Sequence, residues 1–128
     1  MRVLLDTHAL LWAAFRKDLL SARARKLIET PSNEILVSAA SAWEIATKYR
    51  LGKLPLAQVL VGDFVPRVTS AGYVLLSISV EHALRAGRLP ADHKDPFDRM
   101  LAAQAIDEDL PLLSNDERLD VFGVRREW

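Results

Sequence analysis

The stretch "VLLDTHALLW", residues 3–12, decides how this chain begins to fold. Its first apolar run, Val3–Leu5, is typical of a buried strand. The second run, Ala9–Phe15, is typical of a helix that is apolar nearly all round. Asp6 lies between the two, at the carboxyl end of the predicted strand. A carboxylate there either caps the following helix or supplies chemistry at the edge of a sheet.

Strands and helices alternate along the rest of the chain, with a turn at residues 54–56 and a kink expected at Pro66. The pattern predicts an α/β fold, in which a central, mostly parallel sheet is flanked by helices on both faces, as a single domain over residues 1–128. Strands are predicted over Arg2–Leu5, Glu34–Val37, Tyr73–Ile78, Leu112–Ser114 and Val124–Trp128, and helices over Thr7–Arg16, Ser21–Glu29, Ala39–Leu51, Gln58–Ser70, Val80–Arg88 and Phe97–Asp109.

Composition narrows the class of protein. The chain has 128 residues, of which 50% are hydrophobic and 27% charged, so one packed core is expected. It has no cysteine, which excludes disulfides, thiol catalysis and Cys-ligated zinc. Seventeen basic and 17 acidic residues cancel, so net charge gives no support for nucleic-acid binding. Neither a signal peptide nor a membrane span is apparent, and a soluble cytoplasmic protein is expected.

Two acidic residues occupy equivalent positions in the predicted sheet. Asp6 follows the first strand and Asp116 follows the strand at Leu112–Ser114, so both are expected at the carboxyl edge, where open α/β sheets bind ligands. Taken alone, Asp6 (or Thr7) and Asp116 could each be a helix cap. Asp95 has the stronger character of a cap, because a proline follows it at the first-turn position.

Asp98 is harder to explain as a cap. It shares one predicted helix face with Leu101, Ala102 and Ala105, and a carboxylate on an apolar stripe is costly without a partner. One explanation is a first-turn acid satisfied by backbone N–H groups and reinforced by Arg99. The small alanines favour instead a close approach to the sheet edge.

Glu44 is the weakest candidate from periodicity. The apolar face of its predicted helix is assigned to other positions, and Glu44 falls at the border of that face, which favours a solvated side chain over a ligand. The residues assigned to the apolar face are Ala39, Ala42, Trp43, Ala46 and Tyr49.

Carboxylates that converge at one edge repel one another unless a cation is present. Mg²⁺ or Mn²⁺ prefers oxygen ligands and suits phosphodiester hydrolysis by an activated water. No zinc-protease pattern, phosphate-binding P-loop or G-x-S-x-G elbow occurs in the chain. The three histidines, His8, His82 and His93, lack metal-ligand spacing, so each is expected to be structural or exposed.

Four blocks of sequence resemble, in order, the motifs of PIN-domain proteins, and the nearest likeness is to the VapC-type toxin ribonucleases. The blocks are "LLDTHALLW", "SAASAWEIATKYRLGKL", "DHKDPFDRMLAAQA" and "LLSNDERLDVFGVRREW", which together reach across nearly the whole chain. The resemblance implies a PIN-like α/β/α sandwich and a Mg²⁺- or Mn²⁺-dependent endoribonuclease acting on single-stranded RNA. Its acidic quartet falls on Asp6, Glu44, Asp98 and Asp116; the expected metal ligands are Asp6, Asp98 and Asp116, with Thr7, Asp95 and Ser114 in supporting positions.

The resemblance also implies partners: an RNA substrate, a cognate antitoxin protein and a second copy of the chain in a homodimer. Aromatic residues add modest support for a binding surface, although each could equally belong to the core; they are Trp12, Phe15, Trp43 and Trp128. Two other functions remain open from the sequence. One is a non-catalytic RNA- or antitoxin-binding module with the same fold, and the other is a metal-dependent DNA nuclease.

Overall fold

The computed structural model describes residues 1–54 and 58–128. Within these ranges, five strands form one sheet in which every pairing is parallel, with the order β3-β2-β1-β4-β5. The strands are β1 (Arg2–Leu5), β2 (Glu34–Ser38), β3 (Val74–Leu76), β4 (Leu112–Leu113) and β5 (Arg126–Glu127).

Six α-helices connect or cover these strands in the described part of the chain. They are α1 (Thr7–Phe15), α2 (Ala22–Glu29), α3 (Ala39–Arg50), α4 (Gln58–Ser70), α5 (Val80–Arg88) and α6 (Pro96–Asp107). Short 3-10 helices cover Lys17–Leu19 and Glu117–Phe122. Most of the α-helices begin at an N-cap, an Asp or Ser whose side chain accepts a hydrogen bond from a backbone N–H of the first turn. These N-caps are Asp6, Ser21, Ser38, Ser79 and Asp95.

The sheet carries a separate apolar cluster on each face, which explains why its inner strands are apolar at successive positions. On one face, Val3 and Leu5 of β1 pack with residues from α1, α2 and α4. On the other, Leu4 packs with Leu101 and its neighbours on α6. Helix α3 contributes to both clusters. The predicted α/β/α sandwich with a parallel sheet is therefore confirmed.

The strand order places a switch point beside β1. The chain moves outward from β1 through β2 to β3 on one side, and through β4 to β5 on the other. The carboxyl ends of β1, β2 and β4 therefore meet at one edge, where crevices form in open parallel sheets. The residues at or just beyond these ends are Asp6, Ser38 and Ser114.

Most predicted boundaries agree with the structure to within two residues, and two features differ in informative ways. The strand predicted over Tyr73–Ile78 is shorter, because Ser79 leaves the sheet to cap α5. The kink expected at Pro66 lies at Asp63, where φ is −151° and ψ is 29°. Proline cannot donate to the carbonyl one turn earlier and crowds that turn, so the distortion falls before it. The turn predicted at residues 54–56 lies largely outside the described residues.

Across residues 1–54 and 58–128, no helix combines the length and apolar character needed to cross a membrane.

Candidate active site at the carboxyl edge of the sheet

Asp6 joins β1 to α1 and performs the capping role that its position predicted. Its Oδ1 accepts a hydrogen bond of 2.7 Å from the backbone N–H of Ala9. Its side chain is nevertheless only 5% exposed. Burial raises the pKa of the Asp6 carboxyl from 3.8 to about 6, against the opposing effect of hydrogen bonds with Ser114 and Ala9; the charge of nearby Asp98 raises it further. A cap on a helix this near the surface does not need such burial.

Hydroxyl groups line the buried floor next to Asp6. Thr7 Oγ1 donates to Ser41 Oγ at 3.0 Å, and both side chains are buried, so the start of α1 is tied to α3. Ser114, also buried, accepts a 3.0 Å bond from the backbone N–H of Asp116. Two of the three supporting positions implied by the family resemblance, Thr7 and Ser114, thus lie at this edge of the sheet.

Glu44 is buried, and the expectation of a solvated side chain is wrong. It is 4% exposed, and the buried face of α3 comprises Ala40, Ser41, Glu44 and Ile45. Trp43, assigned to the apolar face from periodicity, is instead 54% exposed. The alanines of this helix give little hydrophobic contrast between its faces. The Glu44 carboxylate forms an ion pair with Lys48, one turn further along the helix.

Asp98 lies at the start of α6, above the predicted stripe of buried Leu101, Ala102 and Ala105. Burial raises the pKa of the Asp98 carboxyl, and the charges of Asp95 and Glu44 raise it further. These effects outweigh a hydrogen bond of 2.8 Å between Asp98 Oδ2 and His93 Nε2.

One explanation for Asp98 was a first-turn acid reinforced by Arg99, but the Arg99 side chain binds elsewhere. The Arg99 guanidinium donates to backbone carbonyls of the preceding loop and helix end, and so holds the loop that carries His93. Its acceptors are the carbonyl oxygens of Ala86, Leu89, Ala91 and His93, at 2.6–3.0 Å. The prediction for Asp95 is confirmed: its Oδ1 caps α6 by accepting from the N–H groups of Phe97 and Asp98, at 2.9 and 3.0 Å.

Asp116 follows β4 and begins the 3-10 helix, capping it through the N–H of Arg118 at 3.0 Å. The Arg118 guanidinium also bonds both carboxylate oxygens, with Nη2 at 2.7 Å from Oδ2. These hydrogen bonds lower the pKa of the Asp116 carboxyl, so Asp116 ionises more readily than Asp6 and Asp98, whose carboxyl pKa values are raised.

The structure places the sequence-predicted acids around one edge. Asp6 and Asp98 lie near enough to raise the pKa of the Asp6 carboxyl, and Glu44 acts likewise on Asp98. Asp116 adjoins them through Ser114. Three basic partners were not predicted: His93, Lys48 and Arg118. Lys48 could have been found, since a lysine four residues after a glutamate is a familiar helical pair.

The donor chemistry of this edge fits a hard divalent cation. Carboxylates and hydroxyls are oxygen donors, and a cation would relieve the mutual repulsion of Asp6, Glu44 and Asp98. As the side chains stand, however, no three His, Asp or Glu residues within residues 1–54 and 58–128 are arranged to hold an ion. Asp98 and Asp116 are each turned toward a basic partner.

Comparison with known proteins shows which family the chain belongs to. The PIN domain family matches residues 3–124. The chain belongs to the PIN-domain family. Over 64 residues it is 44% identical to Ribonuclease VapC16 of Mycobacterium tuberculosis, a match that covers 50% of this chain and 44% of that protein. The chain thus spans less than half the length of that curated relative.

Solved structures of PIN proteins share the fold at low sequence identity. The chain is similar to VapBC2 from Rickettsia felis bound to a DNA fragment from their promoter, with a TM-score of 0.66, 19% identity and coverage of 100% of this chain and 99% of that one. VapBC-1 from nontypeable Haemophilus influenzae is similar with a TM-score of 0.64 and 14% identity, and the match covers 99% of this chain and 97% of that one. FitAcB from Neisseria gonorrhoeae is similar with a TM-score of 0.59 and 18% identity, and the match covers 97% of this chain and 95% of that one.

Proposed function

We propose that this chain is the toxin of a type II toxin–antitoxin pair and a Mg²⁺- or Mn²⁺-dependent endoribonuclease that hydrolyses single-stranded RNA. One observation carries the proposal: three carboxyls from separate elements lie at one edge of the sheet, those of Asp6, Glu44 and Asp98. Burial raises the pKa of the Asp6 and Asp98 carboxyls, and the Glu44 side chain is buried beside them. A fold does not need that arrangement for its stability, and perturbed acids in such a crevice mark functional sites. The partial identity to Ribonuclease VapC16 supports the same reaction.

Each acid has a proposed role. Asp6, Asp98 and Asp116 hold the cation, and Glu44 completes the site as a catalytic acid. When bound, the cation supplies an activated water and positive charge for the phosphate oxygens. Thr7 and Ser114 orient the Asp6 edge, and Asp95 fixes the first turn of α6 so that Asp98 projects toward it.

The basic partners have a proposed part as well. Arg118 forms an ion pair with Asp116, and His93 shares a hydrogen bond with Asp98, so each of these acids has a basic side-chain partner at the edge. Lys48 is the corresponding partner of Glu44. If a bound cation drew Asp98 or Asp116 away from its partner, His93 or Arg118 would become available to the phosphate groups of an RNA strand.

The proposed setting is the cytoplasm, with a cognate antitoxin and a second copy of the chain as protein partners. The resemblance to VapC-type toxins supports the antitoxin, as does the structural likeness to VapBC and FitAcB. Homodimer formation rests on the family resemblance.

The substitution Asp98→Asn tests the proposal. It removes the charge but keeps the side-chain shape, so the fold is expected to survive while cleavage of single-stranded RNA in Mg²⁺ falls by at least about 100-fold. The matched control is Asp18→Asn, which alters an exposed ion pair with Arg16 and none of the acids at the edge.

The same assay separates the alternatives. RNA cleavage retained by Asp98→Asn would remove this residue from the site. Equal cleavage of a DNA oligonucleotide of matched sequence would favour a DNA nuclease. No cleavage by the wild-type protein, with no stabilisation by Mg²⁺ or Mn²⁺, would favour a non-catalytic binding module.

A further inference from the structure

An open groove of about 480 Å³ begins at Asp116 and extends along the first turns of α1. Its lining combines aromatic rings with a guanidinium group, which neither core cluster explains. The lining residues are His8, Trp12, Asn115, Asp116, Glu117 and Arg118. One end of the groove is therefore an acid of the proposed active site.

The two aromatic side chains in the groove lie one helical turn apart. The rings of His8 and Trp12 have centroids 5.7 Å apart and are inclined by 49°, so they do not stack fully on each other. His8 is exposed. The Trp12 ring packs edge-to-face against the ring of Trp128, with centroids 5.8 Å apart and planes inclined by 60°. Trp12 is thus held in a fixed orientation with part of its surface accessible, as a stacking platform requires.

Arg118 adds a cation at the same place. Its side chain is 72% exposed, and its bonds to Asp116 use Nε and Nη2. Nη1 makes no hydrogen bond to any residue in the described part of the chain. A guanidinium with a free edge is suited to phosphate oxygens, because its planar donors match their geometry.

We propose that this groove binds one nucleobase of a single-stranded RNA beside the scissile phosphate, by stacking on the exposed ring of His8 with Trp12 beside it, while Arg118 contacts the adjoining backbone phosphate. The inference rests on the proposed nuclease function, since Asp6 lies only two residues before His8 and Asp116 lines the groove itself. Stacking on aromatic side chains is tolerant of base identity and needs an unpaired base with accessible faces. The groove therefore supplies a physical reason for selecting single strands over duplexes.

A binding experiment without catalysis tests this first. The wild-type protein in EDTA is titrated with a single-stranded RNA hexanucleotide and with the same backbone lacking its bases, while the indole N–H signal of Trp12 is followed by NMR. The base-containing RNA is expected to shift that signal, and the abasic strand to leave it near its starting position. Equal shifts, or no shift, would overturn the proposal. The groove would then be free for another occupant, such as a side chain of a protein partner.

Cleavage kinetics test it a second way. His8→Ala is expected to lower kcat/KM for single-stranded RNA by about 5- to 150-fold, the range for loss of one base–aromatic stack. His8→Phe keeps an aromatic face and should restore most of the rate, which a proton-transfer role for the imidazole would not allow. Phe15→Ala is the matched control, because Phe15 is an exposed aromatic of the same helix outside the groove.

The substrate can be varied together with the protein. If His8 acts by stacking, the loss caused by His8→Ala should vanish when the RNA has an abasic nucleotide on the correct side of the cleaved bond. A loss that is the same for every abasic position would contradict stacking. If the wild-type protein cuts no RNA at all, the proposed function fails, whereas the NMR titration still decides whether the groove binds bases.

Discussion

Replacing Asp6 by asparagine is expected to stabilise the metal-free protein while abolishing its activity. The wild-type carboxyl must be ionised at neutral pH although burial raises its pKa from 3.8 to about 6. At about 1.4 kcal/mol per pKa unit, that rise corresponds to about 3 kcal/mol of lost unfolding free energy above pH 6. Asparagine is nearly as good an N-cap as aspartate, so the bond from the Ala9 N–H can survive. Losing the favourable interaction of the charge with the helix dipole takes back about 0.3–1 kcal/mol.

The expected net gain for Asp6→Asn is therefore about 2 kcal/mol at pH 7, and it must depend on pH. Between pH 4 and 6 the folded wild-type protein keeps the Asp6 proton that the unfolded chain has already released. Wild-type stability from this group therefore falls as pH rises through that window, and the advantage of the variant grows with it. Below about pH 4 both states are protonated and the gain should disappear.

Urea unfolding of both proteins in EDTA, at pH 4 and pH 7, measures this difference. EDTA matters, because any bound cation would stabilise the wild-type protein and hide the effect. A variant less stable than wild type at pH 7, or a stability difference that is the same at both pH values, would refute the reasoning about Asp6.

Two further predictions concern the loop and the cation. Arg99→Lys is expected to lower the free energy of unfolding by about 2 kcal/mol or more, because an ammonium cannot reach the four backbone carbonyls that the guanidinium binds. Urea unfolding measures this loss, and an unchanged midpoint would contradict it. Mg²⁺ at about 100 times its dissociation constant should add about 2.7 kcal/mol to the unfolding free energy of the wild-type protein but not to that of Asp98→Asn. Thermal unfolding with and without the ion measures this, and an equal gain in the wild-type protein and the variant would place the cation elsewhere.

Much of the fold follows from local sequence. Alternating apolar runs and turn residues predict the order of strands and helices. The parallel sheet follows from the scarcity of hairpin signals. The site acids that could be predicted from the residues were those at strand ends or on an unmistakable stripe: Asp6, Asp116 and Asp98. Their positions depend on the backbone, which short-range patterns determine well.

The residues that were misassigned depend on contacts between distant segments. The buried face of α3 includes Ser41, whose hydroxyl accepts a hydrogen bond from Thr7 on another helix. Because α3 is rich in alanine, its hydrophobic pattern is too weak to show which of its faces is buried. His93 reaches Asp98 from the loop between α5 and α6, whose backbone carbonyls Arg99 binds. No spacing rule for metal ligands or helical neighbours would have paired these residues.

We propose that water, activated at this acidic edge, cuts the RNA backbone. The most direct measurement is the chemistry of the product ends after cleavage of a single-stranded RNA by the wild-type protein, with Mg²⁺ and with EDTA. We expect 5′-phosphate and 3′-hydroxyl ends in Mg²⁺ and no cleavage in EDTA. Ends bearing a 2′,3′-cyclic phosphate, or cleavage that persists in EDTA, would contradict it, because the neighbouring 2′-hydroxyl would then be the attacking group.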